Sequence, residues 1–429
     1  MRGSDGTGRT SGFRRVAMSE ASSGPSGGLD HAAWQAFCDA LKAAGDRILE
    51  PDFPGTSLDR AEGFRHLAQQ AACWLTWGVG HADASDPRFM RQNDLFTQWG
   101  GPNVDNLYKH ARIDPTGVYR VRGKMHSCEE FLLAVRIGNM HEERYGTLYE
   151  VTATDMGIGP GDDFEITLGG VEPSDPAERL RWVPLPDEAR MVNIREYYYD
   201  WREREPAVFV IERVDERVDG VVDGVVTPGR LTAVEVAGRL DEARSQFERS
   251  VVFWNDYQRT ARGRGADNTF IQPRAEPKGL KGLVYAFCFY RLGVGEALVV
   301  ESAAPVARYW SYQLYRLGWF EPVESVHRTG GLNQRQLRID SDGRVRVVIA
   351  AEDPGVANWL DTGGREEGML TFRCAWAENR PEPTARVVRV SDLAEEGFDP
   401  TWAGGPVSAD ERAEAVRVRG SHAAWRFRT

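Results

Sequence analysis

A chain of 429 residues is long enough for two or three domains, each able to bury its own core without disulfides or metal. Its formal net charge of -11 excludes a large favourable phosphate-contact term, so nucleic acid is a poor partner. No run of about 18 apolar residues occurs, which excludes a membrane-spanning helix, and five scattered cysteines without CxxC exclude zinc-ligand spacing and fit a reducing, cytoplasmic compartment.

Residues 1–28 are rich in Gly, Ser and Arg and lack the apolar core of a secretory signal, so they are expected to be disordered, with Met18 an alternative start. A helical segment is expected over residues 29–100. In "DHAAWQAFCDALKAAGDRIL", Trp34, Phe37, Leu41 and Ile48 fall at helical spacing behind a capping Asp30. A second amphipathic helix starts near Ser57, with Leu58, Phe64, Leu67, Ala71, Trp74 and Leu75 on one stripe and Gly78 as its stop.

From residue 101 to 230 the texture changes to short alternating runs divided by turn residues: "GVYRVRG", "FLLAVRIG", "TLYEVTATDM", "DFEITLGG", "MVNIREYYYDW" and "AVFVIERV". Their spacing predicts a first antiparallel β-sandwich or jelly roll rather than βαβ units. The near-repeat "RVDGVVDGVV" reads as a linker or irregular hairpin, because a repeat fold needs about three units. Residues 231–264 form a long connecting helix with Val236, Leu240, Phe247, Val251 and Trp254 near one face. A second sandwich follows over 265–390, including "LVYAFCFYRL", "RYWSYQLYRL", "RQLRID" and "MLTFRCAWAE", with "DSDGR" as a turn. The tail, 391–429, is expected to wrap the molecule with little regular structure. The whole is α+β: N-terminal helices, then two antiparallel sandwich or jelly-roll-like regions joined by a long helix.

The stretch Gly101 to Gly123, with "YWSYQLY" at Tyr309 to Tyr315, "EDPGVANWL" at Glu352 to Leu360 and "LTFRCAW" at Leu370 to Trp376, resembles the bacterial DUF1214 family. The resemblance spans Gly101 to Trp376 and is strongest over the second β region. It implies a β-sandwich preceded by another domain and a tendency to oligomerise, and it implies no established reaction. The chain departs from the family pattern at "SVHRTGGLNQRQLRID", where His327, Gly330 and Gly331 stand in place of the usual Asp, Arg, Thr and Pro.

Four clusters are candidates for chemistry. Asn103, Asp105 and Asn106 precede Tyr108 where a turn enters a strand; such residues either bond neighbouring backbone amides or fix a polar ligand beside Tyr108. Alternation in "YKHARID" places Tyr108, His110 and Arg112 on one side. In "REYYYDWRERE", Arg195, Tyr197, Tyr199 and Trp201 alternate with Glu196, Tyr198, Asp200 and Arg202; the strand either packs at an interface or offers Tyr198 and Asp200 for acid–base work. In the second β region, Asp353, Asn358 and Trp359 share a long loop, Trp310 and Tyr312 add aromatic groups, and Arg373 inside an apolar strand requires a carboxylate, a carbonyl or an anionic ligand.

The remaining signals are weak. The histidines form no HxH, HExxH or HxxxH pair, and a site built from His110, His126 or His141 with Glu142 or Glu143 is a minor alternative, so no metal ligands are assigned. His126 is instead a candidate ligand-binding residue, and Cys128 beside it a remote nucleophile candidate. "GIGPGDD" reads as a hairpin loop rather than a phosphate cradle, no nucleotide fingerprint occurs, and the cofactor is unknown. Two readings follow. In the first, a small, partly apolar molecule sits in a cleft between the β regions, held by Asn103, Asn106, Arg112, His126, Trp310, Tyr312, Asp353, Asn358, Trp359 and Arg373. Asp105, Tyr108, Tyr198 and Asp200 are then available for hydrolysis or elimination. In the second, the chain is a non-catalytic protein whose aromatic strands form homo-oligomer contacts. On the first reading, Asp105→Ala removes binding and leaves stability nearly unchanged.

Overall fold

The computed structural model describes residues 28–203, 205–214, 221–222, 225–226, 231–275, 278–393 and 400–428. Apart from Gly28, the expectation for residues 1–28 lies outside them.

Two helices open the chain, α1 (Leu29–Arg47) and α2 (Ser57–Leu75), and α2 continues into a π turn over Thr76–Gly80. Gly28, not Asp30, occupies the N-cap of α1; Asp30 is the second residue of the helix and accepts from the His31 amide. Gly78 does not end a helix. A Cβ there would lie 2.9 Å from the Arg239 carbonyl oxygen, so its bare backbone is what allows a later helix to approach.

The first β region contains β1 (Asn106–Arg112), β2 (Tyr119–Lys124), β3 (Glu130–Gly138), β4 (Gly146–Thr152), β5 (Asp163–Leu168), the short α3 (Pro176–Arg179), β6 (Trp182–Val183), β7 (Met191–Tyr197) and β8 (Val208–Arg213). The near-repeat supplies the two-stranded hairpin β9 (Val221–Val222) and β10 (Val225–Val226). Helix α4 (Ala233–Arg262) follows, started by a capping box in which the Glu235 amide donates to Thr232 Oγ1 and the Thr232 amide to Glu235 Oε2. The second β region holds β11 (Phe270–Arg274), β12 (Leu283–Arg291), β13 (Glu296–Ala303), β14 (Ala307–Tyr315), β15 (Gly331–Asn333), β16 (Arg344–Ala350), β17 (Trp359–Asp361), β18 (Glu367–Ala377) and β19 (Thr384–Arg389). "RQLRID" is turn and coil rather than strand.

The tail differs from expectation. Helix α5 (Ala409–Arg426) starts at a second "S-x-x-E" capping box, Ser408 with Glu411, and its buried face is Arg419, His422, Ala423 and Arg426. A helix whose inward side is mostly cationic leaves little hydrophobic periodicity to read.

Among the described residues the strands pair as β6-β5-β2-β8 and β1-β7-β3-β4 in the first region, and as β11-β12-β18-β14-β15 and β17-β16-β13-β19 in the second. Each pair of sheets closes on an apolar core. Phe131, Val192 and Ile194 meet Val121, Ile166 and Phe209 in the first, and Phe372, Tyr312 and Leu370 meet Leu298, Val347 and Ile349 in the second. The fold is therefore α+β with two mostly antiparallel sandwiches; β5–β6 and β16–β17 are its parallel pairings. No described helix is long and apolar enough to cross a membrane.

The sandwiches stack through their inner sheets, β1-β7-β3-β4 against β11-β12-β18-β14-β15. Tyr197 and Tyr199 of the first pack on Tyr309 of the second at ring-centroid distances of 5.1 and 5.5 Å, and Trp376 lies 5.3 Å from Tyr197. The tyrosine-rich strand thus spends its rings on an interface within the chain. Trp74 of α2, Phe247 and Trp254 of α4, Met191 and Phe287 share a further core that covers one end of this interface.

Candidate functional site

Strand alternation dictates what the inner sheets show each other. β1 and β3 flank β7, so Tyr108, Arg195 and Leu132 stand at one level, His110, Asn193 and Ala134 at the next, and Arg112, Met191 and Arg136 at the third. Opposite them, β12 and β18 place Tyr285 beside Arg373 and Phe287 beside Thr371. Alternation sends the neighbours of these residues into the two sandwich cores, which leaves polar and aromatic side chains for the space between the sheets.

That space holds a cavity of about 130 Å³. Its cationic lining comes from Arg136, Arg195 and Arg373, and its aromatic lining includes Tyr108, Tyr285, Phe287, Tyr257 and Phe320. Among the described residues no aspartate or glutamate lines it. Among the described residues none of the three arginines forms an ion pair within 4.0 Å, although arginine side chains with 9% and 7% exposure, Arg136 and Arg373, ordinarily require one.

Arg373 is supported by the Gly101 carbonyl and by the Tyr315 hydroxyl at 2.6 Å, and its guanidinium lies over the Tyr285 and Tyr315 rings. Arg195 lies over the Tyr108 ring at 5.4 Å and donates Nε to Asn193 Oδ1 at 3.3 Å. Arg136 has no hydrogen-bond partner for Nε, and both polar atoms of Asn139 are likewise buried without one. Burial and the neighbouring Arg195 push the Arg136 guanidinium down to about 10, so it remains charged at neutral pH.

His110 completes the polar wall. Asn193 Nδ2 donates to its Nε2 at 2.9 Å and to the Lys109 carbonyl at 3.2 Å, which leaves the ring proton on Nδ1, a buried atom without a partner. Burial, with Arg136 and Arg195, holds His110 well below the usual imidazole range, so the ring is a neutral donor.

The wall beside α4 is formed by a tight loop. Gly101 has φ +62°, and a Cβ on it would lie 2.4 Å from the Phe320 ring; Phe320 itself has φ +48°. Phe320 stacks on Tyr257 at 5.8 Å, and Tyr257 meets Phe287 edge-on at 6.4 Å.

Of the residues singled out from sequence, Tyr108, His110 and Arg373 line this cavity. Asn103 and Asp105 lie beside it in a closed network on the β14–β15 side. Asp105 accepts from Tyr309 O–H at 2.6 Å, Asn333 Nδ2 at 2.8 Å and Trp201 Nε1 at 2.9 Å, while Asn103 Oδ1 accepts from Gln313 Nε2 at 2.6 Å. Burial raises the Asp105 carboxyl above the usual carboxylate range. Asp105 is fully enclosed and its oxygens are taken, so the expectation that its loss spares stability is corrected. Asn106 is buried opposite Tyr197.

The others are dispersed. Arg112 pairs with Glu242 and lies over Trp77 at 4.5 Å, tying β1 to α4. Tyr198 faces the first sandwich core and donates to Glu196, and burial raises its hydroxyl well above the usual range. Asp200 lines a separate groove of about 410 Å³ beneath α5. His126 occupies the β2–β3 turn with φ +47°. Trp310 and Tyr312 point into the second sandwich core, away from the cleft. Asp353 pairs with Arg412 of α5, whose guanidinium lies 4.9 Å from the Trp359 ring, and Asn358 Nδ2 donates to the Arg338 and Arg346 carbonyls. These loop residues fasten α5.

His141 Nε2 lies 2.6 Å from Gln246 Oε1 and is pushed down to about 4 by burial, and Cys128 is held protonated by burial. Arg136, Arg195, Asn139, Tyr285 and Phe287 were not singled out for the site. One signal pointed to Arg136: it interrupts the apolar run "FLLAVRIG" as Arg373 interrupts "LTFRCAW".

Residues 293–379 match the family model described as a protein of unknown function, DUF1214, so the chain carries a DUF1214 domain. The match covers β13 to β18 of the second sandwich, including Arg373, and is narrower than Gly101–Trp376. No curated protein matches. An uncharacterized protein from Burkholderia cenocepacia of solved structure is similar at 28% identity and a TM-score of 0.77, over 86% of this chain and 100% of that one. The VPA0106 protein from Vibrio parahaemolyticus is similar at 12% identity and a TM-score of 0.43, over 75% of this chain and 98% of that one.

Proposed function

We propose that this protein binds a small organic anion with an apolar body in the cleft between its two sandwiches. The observation that carries the reading is the grouping of Arg136, Arg195 and Arg373 around one cavity that no carboxylate lines among the described residues, in a chain of net charge -11. Two buried guanidiniums and a half-buried third, without a counter-ion among the described residues, are costly unless an anion joins them. The aromatic lining supplies contact area for the rest of the molecule, and the tyrosine hydroxyls, Asn139 and His110 orient it.

The cavity groups bind and polarise; of the four residues expected to serve acid–base work, Tyr108 lines the cavity, whereas Asp105, Tyr198 and Asp200 lie outside it. Five unpaired cysteines favour a reducing, cytoplasmic compartment. Thermal-shift measurements test the reading: small carboxylates, sulfonates and phosphates are compared with neutral isosteres, in wild type and Arg195→Gln. Anions are expected to raise the melting temperature of wild type only. An absence of any arginine-dependent shift across the three anion classes rejects it.

A further inference from the structure

We infer that the occupant is a monocyclic aromatic carboxylate of about the size of benzoate, its carboxylate between Arg136 and Arg195 and its ring against Tyr285 and Phe287. This rests on the anion-binding reading and names the class of molecule within it.

Size sets the first limit. A cavity of about 130 Å³ is close to the roughly 150 Å³ apolar cavity that accepts a benzene molecule. The sheltered space, open at its mouth, takes one ring rather than a fused-ring system. One six-membered ring with one small substituent fits.

The placement of the charges sets the second. Arg373 is already supported by the Gly101 carbonyl, the Tyr315 hydroxyl and two ring faces. Arg136 and Arg195 have no comparable acceptors. They stand on neighbouring strands, two levels apart on the same face, and the residue between them on β3 is Ala134, a single methyl group. His110 crosses the same level from β1 and adds its Nδ1–H. Two guanidiniums and one neutral N–H match the lone pairs of one carboxylate, and a neutral imidazole adds a donor without a further cation.

The walls set the third. The rings of Tyr285 and Phe287 lie 6.3 Å apart, centroid to centroid, on strand β12, with Tyr257 and Phe320 closing the side next to α4. The ring edges and faces these residues offer suit a flat, polarisable ring better than a saturated one. Stiff strands and the loop at Gly101 fix their positions before anything binds.

Calorimetric titration of the full chain with sodium benzoate, cyclohexanecarboxylate, acetate, inorganic phosphate and benzamide tests the inference. Benzoate is expected to bind at least about tenfold more tightly than each of the other four. Phe287→Ala should weaken benzoate and leave acetate unchanged, whereas Arg136→Gln and Arg195→Gln should weaken every anion. If acetate or phosphate equals benzoate while both arginines still matter, the ring assignment is overturned and the anion reading survives. Equal binding of cyclohexanecarboxylate overturns the aromatic preference in the same way. If no anion binds with arginine dependence, or benzamide equals benzoate, both readings fall. The wild-type panel alone decides the ring question, so a variant that does not fold leaves it decidable.

Discussion

The Tyr309 hydroxyl donates to the Asp105 carboxylate at 2.6 Å, joining residues 204 apart in sequence and one from each sandwich. Asp105 also receives Asn333 and Trp201, so a single side chain at the entrance to β1 draws donors from both β regions. Asp105→Ala is expected to cost about 3–5 kcal/mol, since it strands several buried donors at once. Asp105→Asn keeps one acceptor oxygen and should cost less. Urea unfolding of both variants measures this, and an Asp105→Ala protein as stable as wild type would show the network to be dispensable.

Arg136 and Arg195 bring like charges together in a buried place. Removing one charge while keeping the stem should stabilise the unliganded protein, so Arg136→Met is expected to gain about 1 kcal/mol and to lose anion binding. A functional residue that opposes stability has this signature. Parallel denaturation and titration would detect it; a destabilised Arg136→Met with intact binding would assign the side chain to packing.

Gly101→Ala places a methyl group where the Phe320 ring now lies and asks an L-residue to hold φ +62°. The backbone term is about 1–2 kcal/mol, and Phe320 must move toward the cavity. Both stability and affinity for a small anion should fall together. Unchanged affinity would mean that Phe320 does not shape the site.

Glu129 gives a pH prediction. Burial, with Asp200, raises its carboxyl to about 7 from 4.5 against the Tyr199 and Asp200 amides and Arg335. With the folded value above the unfolded one, the contribution is fully present below about pH 4.5 and is lost as pH rises through 7. Glu129→Gln abolishes this slope. The stability difference should therefore move in favour of the variant by about 3 kcal/mol between pH 4.5 and pH 8. Unfolding curves at four pH values suffice, and parallel curves for the two proteins would refute the assignment.

The helices and strands were legible because their signals are local. The stripe of α4 and the period-2 runs of β3, β7 and β18 can be read within one segment. The cavity was not, since Arg136, Arg195 and Arg373 meet only through the stacking of two sheets. Arg195 was read with its tyrosine neighbours, and nothing nearby in sequence marks His110 as its companion. For Asn103 and Asp105 the sequence leaves open a turn held by backbone amides or a ligand contact, and Asn103 Oδ1 accepts from the Asp105 amide at 3.0 Å. Their donors, Gln313, Tyr309 and Asn333, lie more than 200 residues downstream, so whether they faced a ligand or each other depended on contacts that no window contains.

The hydrogen bond from Arg426 to the Val104 carbonyl spans 322 positions of chain, and Arg419 likewise serves Gly331 from α5. On a ribosome, where N-terminal segments fold first at roughly 5–20 residues per second, the turn before β1 must wait on the order of tens of seconds for that partner. The earlier sandwich can build its core in the meantime, yet its border with the later one matures only after translation has reached the final helix.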